Sequence, residues 1–256
     1  MAEKRVVVIT GASQGVGRQL AVAFAENGDT VVVCDALSLD ETVADVRRVG
    51  GEIFPVVTDI RDASSVAAMA ETVLAQFGKV DVVAANAWIG GPSGRLWEID
   101  PAEWLATFDV NVHGMFLVTR ALLPVMIDRR SGSVIVIGSI SGKRPLFGRS
   151  AYTTSKMALV GLTRTLALET GPYGVRVNLI SIGFVPGSRM DWVVATQAAA
   201  RGLSEEEVRA EFISQAALLR FTDARDVADA AVFLASDAAR AITGVDLNVN
   251  SGAVMY

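Results

Sequence analysis

Residues 5–17 read Arg5-Val-Val-Val-Ile-Thr10-Gly11-Ala12-Ser13-Gln14-Gly15-Val16-Gly17, a β-branched run that breaks into a turn holding three glycines. The run at 5–9 reads as a short buried strand, and the apolar periodicity that follows near residues 16–27 reads as a helix. Between them Gly11 permits a tight exit from the strand, Gly15 lets the backbone approach a pyrophosphate, and Gly17 allows the helix to pack closely. A helix N-terminus presents free N–H groups, so Gly11, Ser13, Gln14, Gly15, Val16 and Gly17 are candidate phosphate-binding residues. A glycine-rich turn alone is a modest signal; the strand before it and the helix after it supply the context that the motif needs.

Similar short apolar runs recur at 30–34, 53–57, 80–84, 133–137, 175–180 and 245–249, with helical patterns in most intervals. Continuous rather than alternating hydrophobicity predicts parallel strands covered on both sides, and right-handed crossovers then give a doubly wound α/β fold. The expectation is one Rossmann-type domain over residues 1–256, a seven-stranded parallel sheet with helices on both faces and a small helical lid at about 188–219. No Pro/Gly/Ser-rich linker divides the 256 residues, and a 51% hydrophobic content suffices for a sizeable core.

A net charge of −5 gives no long-range attraction for nucleic acid or an anionic membrane, which leaves small molecules as the expected partners. The first residues carry no cleavable signal pattern, and no apolar run reads as long enough to span a bilayer, so a cytoplasmic location is expected. Cys34 is the only cysteine, which excludes an intrachain disulfide and a cysteine-rich metal site; its apolar surroundings mark a small buried hydrophobe. No metal site is expected. The single histidine, His113, has no G-x-S-x-G elbow to serve and reads as a core or helix-packing residue.

Asp35 ends the second strand, where a carboxylate accepts hydrogen bonds from the adenosine ribose hydroxyls and repels a 2′-phosphate. Ala36, Leu37 and Gln14 supply no cation beside it, so NAD is favoured over NADP. After the third strand, Asp59 has two readings, a contact to the adenine amino group or a cap on the helix beginning near Ala63, and Ile60 adjoins the same edge. Asn86 and Ala87 follow the fourth strand at the carboxyl edge, where Asn86 can tie strand ends together and line the cofactor crevice. Tyr152 and Lys156 lie at i and i+4 of a helix over about 151–171, so a cation sits beside a phenol and favours the phenolate of a general base.

The ordered set Thr10-Gly-x-x-x-Gly15-x-Gly17, Asp59, Asn86-Ala87, Asn111, Ser139 and Tyr152-x-x-x-Lys156, with Arg176-Val-Asn178 in the sixth strand, resembles the classical short-chain dehydrogenase/reductase family over nearly the whole chain. The resemblance implies that Tyr152 exchanges a proton with the substrate oxygen while hydride moves to or from nicotinamide. It implies further that Lys156 lowers the tyrosine pKa and holds the nicotinamide ribose, that Ser139 fixes the substrate oxygen, and that Asn111 anchors a water in a relay to Lys156; a helix-bending role is the alternative for Asn111. Val185 is implied to hold the carboxamide through its backbone. Several positions depart from the family pattern. Ala85 and Trp88 stand for the first asparagine and the glycine of an Asn-Asn-Ala-Gly motif, Gly138 for a serine, Ile182 for a proline, and Gly187 for a threonine, with Ser188 beside it as a substitute hydroxyl.

Family members use the region after Ser188 as a substrate lid, and Ser204-Glu-Glu-Glu207 reads as the capping box of one lid helix. Trp88, Phe147, Phe184, Met190 and Trp192 are the candidate substrate-pocket residues; ordinary helix packing is their alternative. Lys143, Arg144 and Arg149 either attract an anionic substrate or stand in solvent. Apolar helices at about 101–128 and 151–171 suggest a homotetramer or homodimer. The expected activity is NAD-dependent interconversion of an apolar or cyclic secondary alcohol and its ketone. The alternatives are a 3-oxoacyl thioester reductase using NADPH and a dinucleotide-binding protein without turnover, the last disfavoured by the intact Ser139, Tyr152 and Lys156.

Overall fold

Alternation along the first strand builds the core on both sides of a sheet. In β1 (Val6–Thr10), Val6 and Val8 face one layer while Val7 and Ile9 face the other, and all are buried. The computed structural model describes residues 4–256 and places seven strands in one parallel sheet of order β3-β2-β1-β4-β5-β6-β7. The others are β2 (Thr30–Asp35), β3 (Glu52–Val57), β4 (Val82–Ala85), β5 (Gly132–Ile137), β6 (Val175–Ile182) and β7 (Asp246–Val249). Each lies within a few residues of its expected place. The expectation of uniform cover fails at the edges: β3 and β7 are only partly buried, and Pro55 is tolerated because β3 pairs on one side only.

Helices α1 (Gly15–Glu26) and α9 (Ala224–Ala235) cover one face with Leu20, Phe24 and Leu234, while α3 (Ala63–Phe77), α5 (Met115–Asp128) and α6 (Ser150–Thr170) cover the other with Met69, Leu122 and Leu159. Helix α2 (Asp40–Arg48) links β2 to the edge strand β3. The chain leaves β3 and crosses to β4 on the far side of β1, so the strand order reverses between β1 and β4. Ligand crevices open at the carboxyl ends of such a pair.

The expected long helix over 101–128 has three parts. Helix α4 (Pro101–Phe108), capped by Asp100, runs through a π-helical stretch at Asp109–Gly114 into α5. Gly114 is required there, because a Cβ would meet Ile60 at 2.5 Å. By length and composition this continuous helix could cross a membrane, which the sequence reading did not expect; half of its most apolar window is packed inside the fold, as in a core helix. The region expected as a helical lid holds two helices, α7 (Ser188–Arg201) and α8 (Glu205–Ser214), and the Ser204–Glu207 capping box is formed. Met190, Val194, Val208 and Phe212 give the lid its own small core.

Two further expectations are adjusted and a third holds. Asp62, not Asp59, caps α3, while Asp59 pairs with Arg61 at 2.6 Å. His113 is exposed and stacked on Phe116 rather than in the core, because it lies on the outer side of the π-helical stretch. Cys34 is buried as expected, and burial pushes its thiol up to about 12.

Candidate active site

The turn after β1 is shaped by contacts that only glycine permits. A Cβ on Gly11 would lie 2.5 Å from Ala87 Cα, and one on Gly17 would lie 2.1 Å from the Gly11 carbonyl oxygen. Gly15 has φ +56° and open space where its Cβ would stand. Asn86 closes the turn from β4: its Nδ2 donates to the carbonyls of Thr10 (3.0 Å) and Gly11 (2.9 Å), while the Thr10 hydroxyl accepts from the Asn86 and Ala87 N–H groups. Asn86 thus ties the ends of β1 and β4 together, the role read for it in the sequence.

The crevice fits a dinucleotide by two observations. Gln14, the residue before α1, makes no side-chain cap, so the first N–H groups of α1 have no side-chain acceptor. Asn86 Oδ1 is buried without a partner. Asp35 stands at the outer end, where its carboxylate accepts the N–H groups of Ser13 and Leu37, each at 3.0 Å, and keeps lone pairs for further donors. Val16 is buried beneath the turn, and Ile60 is held in the core against Gly114. Arg18, which follows the turn in sequence, is committed to Glu41 and Asp45.

Val185, Ser188, Arg189 and Trp88 line both this crevice and a second hollow, whose floor holds Ser139 and Tyr152. Leu146, Phe184, Met190 and Trp192 form apolar walls of that hollow. Phe147 does not join them; it is 58% exposed beside a neighbouring depression with Trp97, and its carbonyl accepts from Gln197. The Trp88 ring lies 5.4 Å from that of Tyr152, so the departure at Trp88 brings an aromatic wall against the reactive phenol.

Tyr152 is 7% exposed, and burial raises its pKa; the Ser139 hydroxyl and the charges of Arg149 and Arg189 oppose the rise. The cation expected to do this, Lys156, is aimed elsewhere. Its Nζ donates to the Ile137 carbonyl at 2.9 Å and lies over the faces of Trp88 and Tyr152, at 5.3 and 5.8 Å from the ring centroids. Burial, aided by repulsion from Arg189, brings its pKa down to about 7, so the ammonium is only partly populated at neutral pH.

Asn111 sits in the π-helical stretch with its side chain fully engaged. Oδ1 accepts from Ile89 N–H (2.8 Å), while Nδ2 donates to the Ile89 carbonyl (3.0 Å) and to Ser155 Oγ (2.9 Å). Ser155 Oγ in turn donates to the Tyr152 carbonyl at 2.8 Å. The side chain therefore joins the loop after β4 to the first turns of α6 and positions Tyr152. Ser155 was missed in the sequence, although a hydroxyl at i+3 from Tyr152 shares its helix face. Arg149, at i−3, carried the same signal.

A family model described as enoyl-(acyl carrier protein) reductase matches residues 11–254. The chain is 32% identical over 251 residues to the 3-oxoacyl-[acyl-carrier-protein] reductase FabG of Staphylococcus aureus, covering 97% of both, and 35% identical over 257 residues to the 3-oxoacyl-[acyl-carrier-protein] reductase of a Synechocystis species, covering 98% of both. Among solved structures it resembles an NAD+-bound xylitol dehydrogenase (TM-score 0.94, 29% identity, 97% of this chain and 98% of that one). It also resembles a single-substitution variant of actinorhodin polyketide ketoreductase with NADPH (TM-score 0.95, 29% identity, all of both chains). This chain belongs to the classical short-chain dehydrogenase/reductase family.

The departures from that family's pattern now have physical reasons. A Cβ at Gly138 would stand 2.5 Å from Leu179 Cδ2, so a serine there would require the Leu179 side chain to move. Ala85 continues the β4–β5 ladder opposite Val136 within the core. Gly187, with φ +139°, turns the backbone into α7, which Ser188 opens. Among the described residues no cluster of three or more His, Cys, Asp or Glu can hold a metal.

The low Lys156 pKa ties stability to pH. Burial holds the folded-state value near 7 against the ordinary 10.5, so between those values the unfolded chain binds a proton that the folded chain rejects, and stability rises with pH. The burial penalty is complete below about 7 and absent above 10.5. Wild type should therefore gain stability relative to Lys156→Met as pH rises through that window, measured by urea unfolding; parallel curves would contradict the burial argument.

Proposed function

We propose that this family oxidoreductase interconverts a secondary alcohol and its ketone with NAD. The observation that carries the reading is a buried Tyr152 beside Ser139 on the floor of an apolar hollow that opens onto the glycine crevice. Bound NAD supplies the hydride acceptor, and in its reduced form the donor, at the nicotinamide. The crevice N–H groups of α1 hold the pyrophosphate, Asp35 the adenosine ribose, and Lys156 with the Val185 backbone the nicotinamide end. Ser139 donates to the substrate oxygen and fixes its position. Tyr152 Oη takes the hydroxyl proton in oxidation and returns one to the carbonyl oxygen in reduction, so the two hydroxyls together decide which atom reacts. Asn111 holds the backbone that carries Tyr152, and a water relay to Lys156 would have to use its peptide group, because its side chain is committed.

A 3-oxoacyl thioester reductase using NADPH is the second reading, favoured by the activities named for the Staphylococcus and Synechocystis relatives. Asp35 separates the two. A carboxylate at the ribose end, with Arg18 neutralised by Glu41 and Asp45, disfavours a 2′-phosphate.

Self-association belongs to the same proposal. Leu105, Phe116, Met157 and Leu168 are exposed on α4, α5 and α6 and support a homotetramer or homodimer through these helices. A single-chain mass in sedimentation equilibrium would remove it. In a screen of secondary alcohols and ketones, Tyr152→Phe should lower kcat by about a thousandfold or more while NAD still binds, as read by calorimetry. Turnover like that of wild type would sink the mechanism. Asp35→Ala should lower the NAD-to-NADP ratio of kcat/KM by about tenfold or more; a wild-type enzyme that already prefers NADP would instead support the thioester reading.

A further inference from the structure

Arg149 occupies a position that its charge makes costly. It is 4% exposed and precedes α6, whose first turn carries no side-chain cap and no acidic residue. A guanidinium there loses its hydration and meets the positive end of the helix dipole. Among the described residues no carboxylate pairs with it, and Nη1 is buried without a hydrogen-bond partner.

Its contacts are the faces of two rings, with the guanidinium carbon 5.1 Å from the Tyr152 centroid and 4.8 Å from that of Trp192. Gly90 leaves room for this arrangement, since a Cβ there would stand 3.2 Å from Arg149 Nη2. The neighbouring cations are differently placed. Lys143 is paired with Asp246 at 3.0 Å and donates to Asn248 at 2.7 Å, and Arg144 is exposed. Arg189 also lines the hollow, from the lid over Trp88, but more of its surface is exposed than that of Arg149. Among the described residues, Arg149 is the unpaired cation on the wall of this hollow that is also buried.

We infer that Arg149 recognises an oxyanion on the substrate, which is then a hydroxy or oxo compound bearing a carboxylate, sulfonate or phosphate a few bonds from the reacting carbon. This rests on the reading of Tyr152 as the proton-transfer group. The short spacing follows because the guanidinium leans on the ring whose hydroxyl meets the reacting oxygen. A bound oxyanion gives Nη1 its missing acceptor and sits favourably at the helix N-terminus, while the apolar walls accept the carbon skeleton. The competing explanation is that the charge serves only the Tyr152 phenolate. The two differ in what they do to a neutral substrate.

The test compares oxo acids of increasing chain length with their methyl esters, and with the matching sulfonates and phosphonates, on the NAD(H)-loaded protein. Wild type should prefer acid to ester, and Arg149→Met should lower the acid-to-ester ratio of kcat/KM by about a hundredfold, chiefly through KM. Arg149→Lys should restore part of it. The anion with the largest wild-type preference identifies the group. Calorimetry on the NAD-loaded Tyr152→Phe protein reads anion binding without turnover, and adding Arg149→Met should abolish it. Removing an unpaired buried charge should leave the melting temperature at or above wild type, so loss of binding would not reflect unfolding. An acid-to-ester ratio unchanged by Arg149→Met, with both substrates slowed and the pH profile displaced, would overturn the inference. So would the absence of acid binding in the Tyr152→Phe protein. Binding that depends on Arg149 without turnover of any oxo compound would uphold the anion site and defeat the proposed reaction instead.

Discussion

The carbonyl oxygen of Gly11 stands 2.1 Å from the point where a Cβ on Gly17 would lie, and Asn86 Nδ2 stands 2.5 Å from it. Turn, helix and strand end therefore converge on a space that only hydrogen can fill. The same crowding lets Asn86 reach two successive carbonyls and brings Ala87 against Gly11, joining β1 to β4 at the reversal of strand order. Once that junction is set, the loop after β4 has one direction to leave. It carries Trp88 to the boundary between crevice and hollow and Ile89 to the peptide contacts of Asn111. Asn111 then reaches Ser155, which holds the backbone of Tyr152. The phenol is thus located by a series of short contacts that begins at the glycine turn.

Desolvation governs the chemistry of the groups so located. Tyr152 and Lys156 are each pushed towards their neutral forms, the phenol upward and the ammonium down to about 7. A phenol that remains protonated suits donation to a carbonyl, and a lysine near half-protonation can give or accept a proton at little cost. Arg149 feels the same burial but has no neutral form to adopt at accessible pH. Its charge must be met by something outside the protein's own side chains, and the two aromatic faces it lies against meet it only weakly.

The sheet and the candidate residues Ser139, Tyr152 and Lys156 were legible because they depend on local pattern. β-branched runs, glycine spacing and the i, i+4 relation of Tyr152 and Lys156 are all written within short windows of sequence. What was not legible depends on contacts across the fold. Phe147 reads as an apolar loop residue near the site, yet the turn at Gly148, with φ +72°, leaves it on the outside and sends Arg149 inward. Lys156 reads as the partner of Tyr152, but which acceptor its Nζ finds depends on β5, where the Ile137 carbonyl lies within reach. Asp59 reads as a cap because it precedes a helix; Asp62 is nearer and takes the position. Pattern gives the elements, and the ends of side chains are decided by neighbours distant in sequence.

The lid shows what this means for specificity. Two cation–aromatic pairs cross between α7 and the floor in opposite senses. Arg189 of the lid lies 4.2 Å from the ring centroid of Trp88 on the floor, and Arg149 of the floor lies 4.8 Å from that of Trp192 on the lid. Each such pair contributes on the order of 0.5–2 kcal/mol and adds to the Gln197 hydrogen bond to the Phe147 carbonyl at 3.0 Å. The lid's own core, Met190, Val194, Val208 and Phe212, keeps α7 and α8 together if those pairs separate. Leu146 and Phe184, outside the two lid helices, pack against that core, and Phe184 stacks on Phe212 at 4.2 Å, so opening would part an apolar contact as well as the two pairs. Both aromatic partners stand where family pattern or local sequence gives no instruction for a tryptophan. The residues that close the lid are therefore also those that line the hollow, and a change of substrate preference at either tryptophan would alter closure as well.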